Sequence, residues 1–112
     1  MLASENVEQS LGLDASLVRG EGAFMLRVQG DSMINAHICD GDLIWVRPQD
    51  DALDGEIVAV MVDDEATVKR FFREDGQIRL QPENAAMRPL VVDPAATPVR
   101  VLGRVMGVIR TL

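Results

Sequence analysis

From residue 23 onward the chain is cut into short apolar runs by turn chemistry, and this pattern constrains the fold most. The runs are "AFMLRVQ", "LIWVR", "EIVAVMV", "ATVKRFF", "IRLQ", "LVV" and "VRVLGRVMGVIR". Between them stand segments such as "CDGD", "QDDALDG", "DDE", "REDGQ", "PENAAMRP" and "DPAATP". Many short runs bounded by Gly, Pro, Asn and Asp predict strands and hairpins, not packed helices. The expected fold is mostly β: a compact single domain of short, strongly bent antiparallel strands with little helix. No internal repeat, low-complexity tract or linker interrupts it.

Composition narrows the class. A length of 112 residues suits one domain, and 47% hydrophobic residues allow a small core. Only 4% are aromatic and none is tyrosine, so Val, Leu, Ile, Met and Ala must fill that core. No apolar run is long enough to span a bilayer. The start, "MLASENVEQS", has no basic flank and no apolar stretch, so it does not read as a signal peptide. Residues 1–22 read as an irregular lead-in with one helical turn. A single cysteine cannot form an internal disulfide, which fits a reducing cytoplasm. A net charge of −7 argues against these residues gripping a phosphate backbone.

Several local expectations follow from side-chain alternation and turn chemistry. In the first run, Phe24, Leu26 and Val28 form an apolar face, and Met25, Arg27 and Gln29 the other. The segment "GDSMINAHI" predicts a glycine turn into a short helical turn, with Asp31 or Ser32 as N-cap. Pro48 should stop the second strand. Gly103 and Gly107 mark bends or close backbone approach in the last run.

Chemistry concentrates in "QGDSMINAHICDGD", residues 29 to 42. It holds Ser32, the only histidine, His37, and the only cysteine, Cys39. Ser32 is either an N-cap or a hydroxyl exposed on a sharp turn whose N–H groups suit an oxyanion. A nucleophilic serine needs a base. His37 lies five residues on, off the same face of any helix, and reads as a partly exposed turn residue. Cys39 and His37 without a second cluster make a poor metal site, and Cys39 reads as a small buried apolar residue. The acids Asp31, Asp40 and Asp42 are too numerous to discriminate.

The other candidate base is Lys69, the one lysine among eleven basic residues. In a strand, Glu65, Thr67, Lys69 and Phe71 share one face; Ala66, Val68, Arg70 and Phe72 share the other. Neutrality near pH 7 requires a fall of about 3 pH units, roughly 4 kcal/mol, which desolvation can supply. A lysine snorkelling from a solvated face fits the same spacing. Ser32 and Lys69 meet only if the fold brings them together.

The ordered blocks "LRVQGDSM", "ICDGDLIWVR", "GEIVAVMVDDEATVKRF", "LQPENAAMRPLVV" and "LGRVMGVIR" resemble the C-terminal domain of LexA-type SOS repressors. The likeness runs from about Phe24 to Arg110, and more loosely through "ENVEQSLGLDASLVRGEG". It implies a cofactor-free Ser–Lys peptidase of β-rich fold, related to signal peptidases, that cuts its own chain. By motif, Ser32 would be the nucleophile and Lys69 the general base. Backbone N–H groups at Asp31 and Ser32 would form the oxyanion hole, with Met33 and Thr67 flanking. The family also implies a homodimer built through the last strand, Gly103 to Arg110, and cleavage stimulated by a RecA filament on single-stranded DNA. Operator DNA would be bound by a winged helix-turn-helix domain that these residues lack. The Ala-Gly scissile bond would lie a few residues upstream of Met1, so residues 1–112 read as a C-terminal fragment. UmuD-type polymerase subunits share the serine and lysine motifs, and a processed accessory subunit acting by binding is the alternative.

Overall fold

The computed structural model describes residues 22–111. The apolar runs become β1 (Phe24–Arg27), β2 (Leu43–Pro48), β3 (Ile57–Val62), β4 (Glu65–Glu74), β5 (Gln77–Gln81), β6 (Leu90–Val92) and β7 (Val99–Ile109). All join one antiparallel sheet in the order β1-β2-β7-β3-β4-β5-β6. The only helix among the described residues is a single 3-10 turn, Ile34–Ala36. The mostly β expectation therefore holds. The lead-in with its helical turn lies outside the described residues. No helix among the described residues is long and apolar enough to cross a membrane.

The hairpins follow from local turn chemistry. Asp75 and Gly76 join β4 to β5 at φ 51° and 77°. An Asp-Gly pair tolerates this left-handed backbone, which matches the twist of two paired strands. Asp63, at φ 53°, opens the β3–β4 turn.

β7 is placed by long-range pairing instead. Val99–Arg104 pair with β3, and Gly103–Ile109 pair with β2. A register shift against each partner bends the strand. Where the two pairings overlap stands Gly103. A Cβ there would lie 2.3 Å from the Arg47 carbonyl oxygen and 2.6 Å from Val46 Cγ1. Close backbone approach, not a turn, therefore demands glycine. Gly107 is looser, since its Cβ would sit 3.4 Å from the Trp45 ring.

Two principal apolar clusters pack against the sheet. One gathers Val58, Val60, Phe71, Ile78, Leu80 and Val101. The other holds Leu26, Val28, Met33, Ile38, Ile44, Val46, Ala59 and Val68. Two expectations for the early strands need correction. Met25 is buried, although it was placed on the polar face of β1. It pairs across from Trp45, and with Ala23 it packs against Leu43 and Trp45, so both faces of β1 are covered. Phe24, expected in the core, is only half-buried. Pro48 does end β2, as its last residue. At a strand's end its missing N–H costs no interior ladder bond.

Candidate active site

The site is built from one regular strand and one irregular turn. Lys69 stands in the middle of β4, opposite Val58 of β3. Its neighbours along the strand face, Thr67 and Phe71, are fully buried. Lys69 itself is 2% exposed, so it does not snorkel to solvent. Its side chain instead runs inward beneath the turn that follows β1.

That turn is pinched at its base. Val28 N–H donates to the Asp42 carbonyl, and Gly41 N–H donates to the Val28 carbonyl, each at 2.8 Å. Gly30, at φ 89°, begins the excursion, and its N–H donates to Asp40 Oδ1 at 2.7 Å. Met33 and Ile38 then plunge into the second cluster, anchoring the loop on the same core that supports β4. Between them the 3-10 turn closes with His37 N–H on the Ile34 carbonyl. Met33, not Asp31 or Ser32, occupies the N-cap position, and no side chain caps it. The reason is directional: the Ser32 hydroxyl is turned inward, away from the turn's own N–H groups, and the Asp31 carbonyl accepts from Ile34 N–H.

The inward hydroxyl meets the lysine. Lys69 Nζ lies 3.2 Å from Ser32 Oγ, 2.7 Å from Thr67 Oγ1 and 3.1 Å from the Val68 carbonyl oxygen. Ser32 is 5% exposed and Thr67 0%. The fold thus joins two residues separated by 37 positions, the spacing that the sequence left unresolved. A buried hydroxyl held against a buried amine can pass a proton to it and attack an electrophile. Met33, next to Ser32 in the chain, is almost fully buried.

The other candidates fall elsewhere. His37 is exposed, takes the left-handed backbone (φ 63°) that ends the 3-10 turn, and makes no hydrogen bond to Ser32 among the described residues. Cys39 is a free thiol, half-buried rather than buried as expected. Asp31 is exposed. No group of three or more His, Cys, Asp or Glu among the described residues could hold a metal ion.

Two polar ties escaped the sequence reading. Asp42 is a buried carboxylate that accepts from Cys39 N–H at 2.7 Å. It also accepts from Arg110 Nε at 2.8 Å and Nη2 at 2.6 Å. The Arg110 guanidinium holds its carboxyl below the ordinary carboxylate value; burial opposes this and Cys39 N–H adds to it. Asp42 in turn raises Arg110 above its ordinary value. Arg110 Nη2 also donates to the His37 carbonyl, so the end of β7 is fastened to the serine turn. The second tie is Asn84, whose Nδ2 donates to the Asp31 carbonyl at 2.9 Å. Each tie spans more than fifty residues, and neither loop sequence alone signals it.

Comparison with known proteins places the chain in a family. Residues 1–106 match the Peptidase S24-like family. The chain is 52% identical over 110 residues to the LexA repressor of Geotalea uraniireducens, covering 98% of this chain and 55% of that protein. It is 53% identical over 112 residues to the LexA repressor of Caldicellulosiruptor saccharolyticus, covering 100% of this chain and 54% of that one. A LexA repressor of Desulfitobacterium hafniense is 52% identical over 112 residues, with 53% of its length covered. The chain therefore spans about half the length of the curated relatives it matches. Its extent of match, the β-rich sheet and the buried serine beside a lysine lead to one conclusion: the chain belongs to the Peptidase S24-like family.

Proposed function

We propose that residues 1–112 form the dimerisation and latent self-cleaving peptidase domain of a LexA-type repressor of the SOS response, acting in the cytoplasm. The observation that carries this is the contact of Lys69 Nζ with Ser32 Oγ at 3.2 Å, with both side chains buried. Burial penalises an ammonium, so it favours the neutral amine that a base requires. A neutral amine has two N–H groups and one lone pair. Thr67 Oγ1 and the Val68 carbonyl can accept the two N–H groups. The third direction then faces the serine hydroxyl, which suits proton abstraction.

Neutral Lys69 takes the proton from Ser32. The serine oxygen attacks the carbonyl of an Ala-Gly bond in the sequence preceding this domain. The N–H groups of Asp31 and Ser32 receive the developing oxyanion. Lys69 returns the proton to the leaving amine, and water then releases the acyl group from Ser32. A RecA filament on single-stranded DNA stimulates the reaction by favouring the cleavable arrangement, supplying no catalytic group. Operator binding belongs to a winged helix-turn-helix domain in the rest of the repressor. The −7 charge of these residues supports leaving phosphate contact to another segment.

The same domain would dimerise through β7. Beyond Arg104 the strand has lost its β3 partner and is paired only to β2. Met106, Val108 and Ile109 are exposed along that stretch, where a second copy could add its own last strand. Cleavage would part the DNA-binding domain from this dimeriser and weaken operator binding through lost avidity.

The test is incubation of the full-length protein at alkaline pH, with mass spectrometry of the products. The expected product is a single cut at a small-residue bond upstream of this domain, absent in Ser32→Ala. A full-length protein that stays intact, or a cut that survives Ser32→Ala, would overturn the proposal.

A further inference from the structure

We infer that Asn84 is a positioning residue for the oxyanion site: its side-chain amide fixes the Asp31–Ser32 peptide so that the Ser32 N–H faces the reacting carbonyl. The inference rests on the Ser32–Lys69 self-cleavage reading above.

A peptide unit is planar, with its C=O and N–H pointing in opposite directions. A donor that fixes the carbonyl therefore aims the N–H. Asn84 Nδ2 holds the Asp31 carbonyl at 2.9 Å, closer than its other donor, the Ile34 N–H at 3.4 Å. The N–H at the other end of that peptide belongs to Ser32, and it meets no hydrogen-bond acceptor among the described residues. A hydrogen bond on the carbonyl also polarises the amide and strengthens its N–H as a donor.

The geometry around Asn84 is itself constrained. Ala86 N–H donates to Asn84 Oδ1 at 2.9 Å, so the oxygen has its partner and the nitrogen is the end that faces Asp31. Met87 N–H closes the turn on the Asn84 carbonyl at 3.0 Å. The preceding residue, Glu83, works on both sides of the site. Its carbonyl accepts from Asn35 N–H at 2.8 Å, in the serine turn. Its carboxylate pairs with Arg70 Nε at 2.6 Å, next to Lys69 on β4. One loop thus links the strand of the base to the turn of the nucleophile, and Asn84 is its contact with the oxyanion peptide.

Asn84→Asp is the discriminating variant. It keeps an acceptor for Ala86 N–H but replaces the donor facing Asp31 with an oxygen. Asn84→Ser is the second, because its short hydroxyl can still cap Ala86 but not span to Asp31. Both are made in the full-length chain. Two readouts are taken: the pH–rate profile of self-cleavage, and the rate at which Ser32 displaces fluoride from a fluorophosphonate. The expected result is an alkaline plateau lowered about 10- to 100-fold, somewhat less than loss of a direct oxyanion donor. The midpoint of the profile should stay in place, because Lys69 is untouched, and phosphonylation should slow by a similar factor. Wild-type rates in both folded variants would overturn the inference. So would a loss that vanishes at equal folded fraction, or one accompanied by a shifted midpoint, which would route the effect through Lys69. A wild-type protein that neither cleaves nor takes the probe overturns the self-cleavage reading and this inference with it. An active wild type with unaffected variants overturns the Asn84 role alone.

Discussion

Ser32 and Lys69 are 3.2 Å apart, yet the chain holds them by different means. Lys69 belongs to a ladder: it pairs with Val58 of β3, and from Arg70 onward β4 is also paired to β5, over a core that includes Phe71 and Val68. Ser32 belongs to an irregular excursion fastened by Asp40, Asp42, Asn84 and the buried side chains of Met33 and Ile38. Many equivalent bonds place the base, and a few distinct polar ties place the nucleophile. A ladder spreads its hold over many bonds, whereas a turn held by single ties can be adjusted without unfolding the sheet.

The sharpest way to separate the two regions is to remove each reacting group. Ser32→Ala in the full-length protein should lower self-cleavage by about 10³-fold or more, read by product mass over time. Its melting temperature should stay near that of the wild type, since Lys69 keeps Thr67 and Val68 as partners. Lys69→Met should lose cleavage to a similar extent while filling the same buried volume.

Next come substitutions that strike the sheet. Phe71→Ala should cost about 4 kcal/mol in denaturant unfolding, because the side chain is wholly enclosed. Gly103→Ala should cost about 3 kcal/mol, since the added carbon meets the Arg47 carbonyl and neither backbone can retreat easily. A Gly103→Ala protein with unchanged stability would show that β2 and β7 are not held as closely as they stand.

The smallest expected effect is on the turn side, and it depends on pH. Asp42 has its carboxyl lowered below the ordinary 3.8, chiefly by Arg110. The folded state therefore prefers the carboxylate. Its stabilising contribution is complete above that ordinary value and is lost as pH falls through the lowered folded value. Asp42→Asn should lose the contribution at neutral pH and flatten the acid limb of stability against pH, measured as urea midpoints. An acid limb identical to the wild type would remove Asp42 as an important tie.

The contrast also explains what the sequence could reveal. Strands and hairpins were legible because their signals are local: Asp75-Gly76 demands a hairpin turn, and "EIVAVMV" offers nothing but a buried strand. The close approach expected at Gly103 was legible too, although the partner was not, since β7 inserts between strands far earlier in the chain. The capping role expected of Asp31 or Ser32 failed because a hydroxyl's direction depends on what lies beneath it, here Lys69. Asp42 and Asn84 looked like ordinary turn residues for the same reason: their partners, Arg110 and Asp31, are supplied by the fold. The proximity of Ser32 and Lys69 had motif resemblance as its only warning in the sequence.

The central claim, that Lys69 serves as the base for Ser32, is tested most directly by the pH dependence of self-cleavage in the full-length protein. Rates would be followed from about pH 7 to about pH 10, from neutrality up towards the ordinary lysine range. The predicted result is a rate that rises with pH above neutral in the wild type and in His37→Ala, and that is absent in Lys69→Met. A flat profile, or cleavage abolished by His37→Ala and retained by Lys69→Met, would contradict it.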